Sequence, residues 1–208
     1  MWRNREIYRA AALAGFLVFS LSACSTSQGD GADQVTTDDE VAAETEQAEV
    51  VQLSFSPPAD CTTLLPESAI AGLAAEGIEL VKGPGSSSTE PIFVEGNTPE
   101  ELVGGISCLY SVPGEEEAAV SILLSVAPVT EAARPGVIND LLAQNLNVGQ
   151  SRDGALTYWI WGDDFNVPAL HNNLYPDSWY SALLQPGGRA AYDKGVGLLE
   201  GMRQQTTR

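Results

Sequence analysis

The sequence is poor in the residues that most enzymes and metalloproteins use for chemistry. It has one histidine, His171, which excludes a metal site built from several imidazoles. It also lacks the Gly-x-Ser-x-Gly, His-Glu-x-x-His, Cys-x-x-Cys and phosphate-loop motifs, each of which marks a common class of catalytic or cofactor site. We therefore predict that the chain is not an enzyme, and we assign it no catalytic residue, metal ion or cofactor.

Basic residues are scarce as well. Ten lysines and arginines stand against 28 acids, which gives the 208-residue chain a formal net charge of −18. A surface of this sign repels phosphate groups, so nucleic acid is excluded as a partner and anionic lipid headgroups are disfavoured. Basic partners and divalent cations remain open, and the charge also serves to keep an exported protein soluble.

A long apolar run is missing too, because the uncharged segment near the N-terminus is short. Residues 10–23 carry no charge and follow Arg3, Arg5 and Arg9. A helical membrane span needs roughly 20 apolar residues, whereas a basic start followed by a short apolar stretch is typical of a secretory signal. We expect residues 1–23 to be a signal peptide, with a permanent membrane anchor as the alternative.

The signal ends in the four residues Leu21, Ser22, Ala23 and Cys24. They resemble the lipobox of bacterial lipoproteins at every position. The resemblance implies cleavage before Cys24, a diacylglyceryl thioether on its sulfur and usually acylation of the new amino group. Two or more acyl chains hold a protein stably on a bilayer, here on the outer, extracytoplasmic face of the cell membrane. An ordinary cleavage site with an incidental cysteine is the alternative.

Residues 24–52 are predicted to form a disordered acidic tether. Beyond the cysteine they contain eight acids, no base and no aromatic residue. Such a segment cannot bury enough apolar surface to offset the entropy cost of ordering it, and its charges repel one another and extend it. We interpret it as a spacer, with a short helix around residues 38–51 as an alternative for part of it.

The remaining residues, 53–208, fit one domain with a single core. Once Cys24 is assigned to lipid, Cys61 and Cys108 remain, and an even pair in an exported protein predicts one disulfide. Two free buried thiols or a reactive site are the alternatives.

Hydrophobic periodicity predicts an α+β fold for this domain. Helical spacing recurs in three segments and strand-like patterns in five, and a polar loop covers residues 83–101. We expect a single domain in which about three helices cover an antiparallel sheet. The predicted helices cover residues 66–77, 135–147 and 187–205, and the predicted strands cover residues 78–82, 105–112, 117–127, 155–162 and 178–186.

Alternation predicts which side chains face the core. In the strand at residues 117–127, the apolar side chains fall on one side, while Glu117, Ser121 and Ser125 fall on the other and would face away from the core. A hairpin turn is expected just before this strand, at the sequence "PGEEE". Cys108 shares the apolar side of the preceding strand, so its disulfide would tie the first helix to the sheet.

Two segments of the domain resemble a known family. The sequences "PADCTTLLPESAIAGL" and "GISCLYSVP" are similar to the DUF3558-type lipoproteins of actinobacteria. The resemblance implies a cell-surface location and a paired-cysteine α+β domain, and it implies no settled activity. The matching residues are Asp60, Cys61, Leu64, Leu65, Pro66, Glu67, Cys108 and Tyr110.

Residues 158–180 hold the strongest candidate for a binding site. They include three of the four tryptophans and the single histidine, His171. Trp159 and Trp161 lie on one side of a predicted strand, where they form either a platform for a sugar or an aromatic ligand, or part of the core. Together with His171, the neighbouring Asp163 and Asp164 complete our set of candidate ligand-binding residues.

The loop predicted at residues 162–177 is rich in oxygen ligands. Calcium takes six to eight such oxygens, but the spacing here is not that of an EF-hand, so we expect a solvated loop. The oxygen-bearing residues are Asp163, Asp164, Asn166, Asn172, Asn173 and Asp177.

Two functions are compatible with these features. Our leading hypothesis is a membrane-anchored, non-catalytic module of the cell envelope that binds a small ligand or an envelope protein, or that senses envelope state. The alternative is an exported hydrolase of cell-wall glycan or peptide, with a pair of carboxylates near the loop at residues 162–177. A spacer domain without a ligand is a third hypothesis.

Replacing Cys24 by Ser should release the protein from the membrane, because serine has no thiol to carry the lipid. We expect mass spectrometry of the membrane fraction to show an acylated peptide that begins at Cys24, and the Cys24→Ser protein to appear in soluble fractions. Ser22→Ala keeps the lipobox pattern and is the matched control that stays membrane-bound. Unmodified, soluble wild-type protein would contradict the assignment.

Overall fold

A computed structural model describes residues 54–94, 96–114 and 120–208. The predicted signal, the predicted tether and Cys24 lie outside the described residues, as do the three glutamates of the expected hairpin turn. Within the described part of the chain, every helix is too short or too polar to cross a bilayer.

The described residues form one antiparallel sheet. Its strands are β1 (Glu79–Lys82), β2 (Ile106–Ser111), β3 (Ser121–Pro128), β4 (Asn147–Gln150), β5 (Leu156–Ile160), β6 (Ala169–Leu174) and β7 (Ser178–Gln185). These seven strands are hydrogen-bonded in the order β1-β2-β3-β7-β6-β5-β4. The first half of the chain therefore meets the second half at the β3–β7 pair, and the α+β class predicted from the sequence is confirmed.

Four α-helices are present in the described residues, and a short 3₁₀ turn, Cys61–Thr63, precedes them. The helices are α1 (Glu67–Ala75), α2 (Pro99–Leu102), α3 (Arg134–Ala143) and α4 (Arg189–Thr206). The three predicted helices correspond to α1, α3 and α4. The fourth, α2, lies inside the segment predicted as a polar loop, where Thr98 and Glu101 form a reciprocal capping box.

One face of the sheet packs against α1 and α4. Leu124 of β3 and Ala182 of β7 are opposite each other, and both are buried in a core that also holds Leu73 of α1 and Met202 of α4. Ile122, Leu124 and Val126 all face this core, as the alternation predicted. Their aliphatic side chains pack beneath the two helices, and removing apolar surface from water stabilises this layer.

The opposite face is covered in part by α2 and α3. Val137 and Leu141 of α3 pack on Tyr158, Leu174 and Trp179 of the sheet. The prediction that Ser125 faces away from the core is correct about the side of the strand but wrong about what lies there, because Ser125 is only 1% exposed.

A chain of hydroxyl groups explains how Ser125 is buried without cost. Its Oγ lies 2.7 Å from the Oγ of Ser107, and that atom lies 2.7 Å from the Oγ1 of Thr98 at the start of α2. Each buried hydroxyl therefore has a partner, which avoids the penalty for an unsatisfied polar group. The hydroxyls attach α2 to a face that a period-two pattern alone would leave in solvent.

Cys61 and Cys108 form the predicted disulfide. Their Cα atoms are 5.6 Å apart and the bond closes a loop with a sequence separation of 47 residues. In the chain-entropy model a loop of this length contributes about 4 kcal/mol to the free energy of unfolding. The bond joins the 3₁₀ turn before α1 to β2, and the Tyr110 hydroxyl adds a 3.2 Å hydrogen bond to the carbonyl oxygen of Cys61.

Two strands were missed from the sequence. β4 ("NVGQ") and β6 ("ALHNNL") lack the alternation of apolar and polar residues that identifies a half-buried strand. Both are placed by backbone pairing with β5. As a result, the segment predicted as a loop at residues 162–177 contains the whole of β6.

Replacing Glu100 by Gln should stabilise the domain at neutral pH. Glu100 is 5% exposed, and its burial raises the pKa of the carboxyl above the ordinary value of 4.5, although hydrogen bonds from Ser181 and Thr98 oppose the shift. The carboxyl therefore binds its proton more tightly in the folded protein than in the unfolded chain. The stability that this proton contributes is complete below pH 4.5 and is lost as the pH rises through the raised pKa.

Urea denaturation at several pH values measures this effect. We expect Glu100→Gln to have a higher unfolding midpoint than wild type at pH 7, with a difference that shrinks as the pH falls towards 4.5. Glu131→Gln, a change at an exposed glutamate, is the control and should show no such trend. A stability difference for Glu100→Gln that does not depend on pH would contradict the assignment.

Candidate functional site

Four ring-bearing side chains meet where β5, β6 and α4 come together. We call them the aromatic cluster: Trp159, Trp161, His171 and Tyr192. Trp159 lies opposite His171 in the β5–β6 pair, and Trp161 follows two residues later on the same side. The ring centroids of Trp159 and Trp161 are 5.6 Å apart in a stacked arrangement, and Tyr192 lies 5.5 Å from Trp159 and 5.2 Å from His171.

The cluster extends from the interior to the surface. His171 is 7% exposed, Trp159 and Tyr192 are partly buried, and Trp161 is 43% exposed. The sequence left open whether the two tryptophans are core or platform. The structure places Trp161 on the surface, while Trp159 lies at the boundary and supports it.

Arg189, at the start of α4, adds a cation to the exposed end of the cluster. Its guanidinium carbon lies 5.0 Å from the centroid of the Trp161 ring, within the range of a cation–π interaction. The same guanidinium donates to Asp193 at 2.8 Å, which fixes its orientation. The exposed indole is therefore held by contacts with Trp159 and with Arg189.

Asp163 organises the loop that follows Trp161. Its Oδ1 accepts hydrogen bonds from the backbone N–H groups of Phe165 (2.8 Å), Asn166 (2.5 Å) and Val167 (3.2 Å). These bonds, the one from Asn166 above all, lower the pKa of the Asp163 carboxyl. Asp163 therefore acts as a structural cap, and the loop that it holds presents Phe165 with 85% of its surface exposed.

Close backbone contact fixes the base of this loop. A Cβ atom on Gly162, which has φ +71°, would lie 2.1 Å from the carbonyl oxygen of Val167, and one on Gly187 would lie 2.2 Å from the same oxygen. Only glycine fits at both places. The loop is consequently anchored to the turn before α4, on the side of the aromatic cluster.

A groove of about 440 Å³ runs beside Trp161. It combines two indole rings with polar groups, which is the usual character of a small-molecule site. Asn147 of β4 forms one wall and donates through Nδ2 to the carbonyl oxygen of Trp159 at 3.1 Å. Asp164 is exposed in the same loop but does not line the groove. The lining residues are Asn147, Trp159, Ile160, Trp161, Gly162, Asp163 and Val167.

His171 lies behind the groove rather than in it. Its Nε2 is 2.9 Å from Oδ1 of Asn173, and within the described residues its buried Nδ1 has no hydrogen-bond partner. Burial lowers the pKa of the imidazole, and the contact with Asn173 opposes that shift. A neutral ring packed edge-on against Tyr192 supports the floor of the cluster.

The remaining oxygen ligands of the predicted loop are dispersed. Asn172 lies in β6 and is 2% exposed, and its Oδ1 accepts a 2.9 Å hydrogen bond from Nε1 of Trp179. Asp177 accepts from the backbone N–H of Phe55 at 2.8 Å. Across the described ranges of the chain, no three side chains of His, Cys, Asp or Glu converge on a point where a metal ion would bind.

Three contributors to the site were not identified from the sequence. Arg189 and Tyr192 come from α4 and Asn147 comes from β4, so each is distant from Trp161 along the chain. Nothing in the local pattern around these residues indicates a binding site. Phe165 was not identified either, because a single apolar residue in a polar loop is common on protein surfaces and does not by itself indicate a contact residue.

The two tryptophans should differ in their effect on stability. Trp159→Ala is expected to lower the free energy of unfolding by about 2 kcal/mol or more, somewhat below the cost for a fully buried tryptophan. Trp161→Ala should cost about 1 kcal/mol or less, close to the value of one stacking contact. Urea titration followed by circular dichroism measures both changes, and an unfolded Trp161→Ala protein would show that this residue belongs to the core.

The chain was compared with protein-family models, with curated proteins and with solved structures, and none of the three comparisons found a match. The resemblance to the DUF3558-type lipoproteins stays a prediction.

Proposed function

We propose that this protein is a lipid-anchored component of the cell envelope whose folded unit is a non-catalytic binding module. The lipobox-like residues 21–24 and the acidic segment after them support the anchor and the spacer. The groove beside Trp161 supports the binding role. In this arrangement the acyl chains hold the protein on the extracytoplasmic face of the membrane, and the groove recognises a ligand or partner of the envelope.

One observation carries the binding role: two large aromatic side chains stand exposed in one short segment. Trp161 is 43% exposed and Phe165 is 85% exposed. An aromatic side chain buries roughly 150–250 Å² of surface when it is covered. Each Å² of apolar surface removed from water contributes about 25 cal/mol of favourable free energy. A partner that covers both therefore gains a substantial free energy, and the cap made by Asp163 reduces the entropy cost of ordering the loop.

The chemistry of the groove favours a ligand with a flat apolar face and hydrogen-bonding edges. Indole rings offer the apolar surface, and the backbone and side chain of Asn147 and the rim formed by Asp163 offer polar contacts. A sugar ring of a cell-wall glycan fits this description, because its C–H face stacks on aromatic rings while its hydroxyls face outward. The net acidity of the chain disfavours a strongly anionic ligand.

A hydrolytic role would require two free carboxylates across a groove. Asp163 is engaged by three backbone N–H groups of its own loop. Asp177 is engaged by the N–H of Phe55. Asp163 and Asp177 thus hold the backbone, and Asp164, although exposed, does not line the groove, which favours the binding role.

Isothermal titration calorimetry with soluble cell-wall glycan fragments tests the proposal. We expect saturable binding to wild type and a loss of affinity of about tenfold or more in Trp161→Ala, as is usual for a central aromatic contact, with a smaller loss in Phe165→Ala, whose side chain does not line the groove. Phe93→Ala is the matched control, since Phe93 is an exposed phenylalanine (48%) of another loop, and it should bind like wild type.

Two results would count against this function. Binding that neither Trp161→Ala nor Phe165→Ala weakens would place the site elsewhere. The absence of glycan binding, combined with retention of an envelope protein by wild type but not by Trp161→Ala, would assign the groove to a protein partner.

A further inference from the structure

A cavity at the other end of the sheet has the properties of a second ligand site. It lies between α1, β1, β2 and the 3₁₀ turn that carries the disulfide, and its volume is about 210 Å³. In the order of the sheet, β3 and β7 separate it from the aromatic cluster. Its lining residues are Cys61, Thr62, Ile70, Leu73, Ala74, Ile78, Glu79, Leu80 and Tyr110.

The floor of the cavity is buried and its mouth is open. Leu73, Ile78 and Tyr110 are each 3% exposed and Cys61 is 1% exposed, whereas Ile70 is 38% exposed. The disulfide fixes one wall, because it joins the turn at Cys61 to β2. The opening therefore lies on the Ile70 side of α1. The wall formed by Cys61 stays in place, because the disulfide holds it to β2.

A small residue on α1 leaves this space unfilled. The helix reads "ESAIAGLAA", and its one buried residue is Leu73. Ala74 lines the cavity with a methyl group, whereas Gly72 and Ala75 do not line it. The helix is held close to the sheet by the neighbouring disulfide, and the short side chain of Ala74 leaves the gap beside Leu73 unfilled.

Both hydroxyl groups on the walls already donate a hydrogen bond within the protein. The Tyr110 hydroxyl donates to the carbonyl oxygen of Cys61, and the Thr62 hydroxyl donates to Asp60 at 2.6 Å. Leu80 pairs with Tyr110, and Glu79 pairs with Ser111; the alternation of the strand directs the Glu79 carboxylate to the opposite face. A charged molecule would lose its hydration in this cavity and find no replacement.

We propose that this cavity binds a small, uncharged apolar molecule with a body of about one or two rings. An apolar cavity of about 150 Å³ accepts benzene, so the volume here suits a slightly larger molecule. The charge of the chain also favours an uncharged ligand. Its net negative charge repels anions, and the uncharged walls cannot replace the hydration shell of a cation. A second copy of the chain is a poor occupant, since a stable interface needs roughly 800 Å² from each partner.

Ligand-observed NMR with toluene as the probe tests the proposal on the full-length mature chain, made soluble by Cys24→Ser. Toluene should bind saturably, and benzoate, its charged counterpart, should not compete. Ala74→Leu adds three carbon atoms to the lining and should weaken toluene binding by about tenfold or more, because excluding toluene surface equivalent to two buried methylene groups corresponds to about that factor. Ala75→Leu, on an exposed neighbouring residue that does not line the cavity, is the matched control and should bind like wild type.

Several outcomes would overturn this site. They are toluene binding that Ala74→Leu leaves intact, an equal loss in Ala75→Leu, and effective competition by benzoate. Self-association of wild type that Ala74→Leu abolishes would assign the cavity to a second copy. Thermal melting confirms that both leucine variants are folded, and Trp161→Ala should leave toluene binding unchanged, so that this result is independent of the aromatic groove.

Discussion

The pairing of β3 with β7 is the interaction on which the rest of the structure depends. It runs in register over eight residue pairs, from Ser121 opposite Gln185 to Pro128 opposite Ser178, and it joins the sheet segment from the first half of the chain to the segment from the second. Both of its faces are buried, by α1 and α4 on one side and in part by α2 and α3 on the other. If this pair separated, the sheet would divide into β1-β2-β3 and β7-β6-β5-β4, and α4 would lose part of the surface on which it packs.

The two faces of this pair are buried by different interactions. On one face aliphatic side chains pack against α1 and α4, which is stabilising in proportion to area but imposes little geometry. On the other face, Ser107, Ser125 and Thr98 form a chain of hydrogen-bonded hydroxyl groups. Burying such a chain costs little free energy only when every hydroxyl has a hydrogen-bond partner. The second face therefore fixes the position of α2, and with it the buried Glu100. The capping box on Thr98 completes that arrangement, so a four-residue helix is held in place by polar contacts.

The parts of the fold that could be predicted are those fixed by local pattern. The disulfide was predicted because Cys61 and Cys108 are the two cysteines that remain once Cys24 is assigned to lipid. Strand alternation predicted that Trp159 and Trp161 lie on the same side of the strand expected at residues 155–162. β6 was missed because three consecutive polar residues, His171, Asn172 and Asn173, are typical of a loop. In the fold Asn172 and Asn173 have side-chain hydrogen-bond partners, and His171 packs against Tyr192. The burial of Ser125 depends on α2, which comes from a distant segment. The aromatic cluster likewise depends on α4, which packs on β6 and β7 and brings Tyr192 and Arg189 to the two tryptophans, a tertiary contact that has no local signature.

Charge and recognition are separated in this molecule. The strands from β2 to β7 contain no Asp, Glu, Lys or Arg, so the acids of the described residues lie in helices, loops and β1. The aromatic groove lies beside β4 and β5 and the apolar cavity beside β1 and β2, at opposite ends of the sheet, and neither proposed binding role relies on the net charge of the chain. The acidity acts at longer range. In the proposed function, in which Cys24 carries a lipid, the negatively charged domain would be repelled from anionic headgroups, so the exposed Trp161 and Phe165 would stay available to a partner.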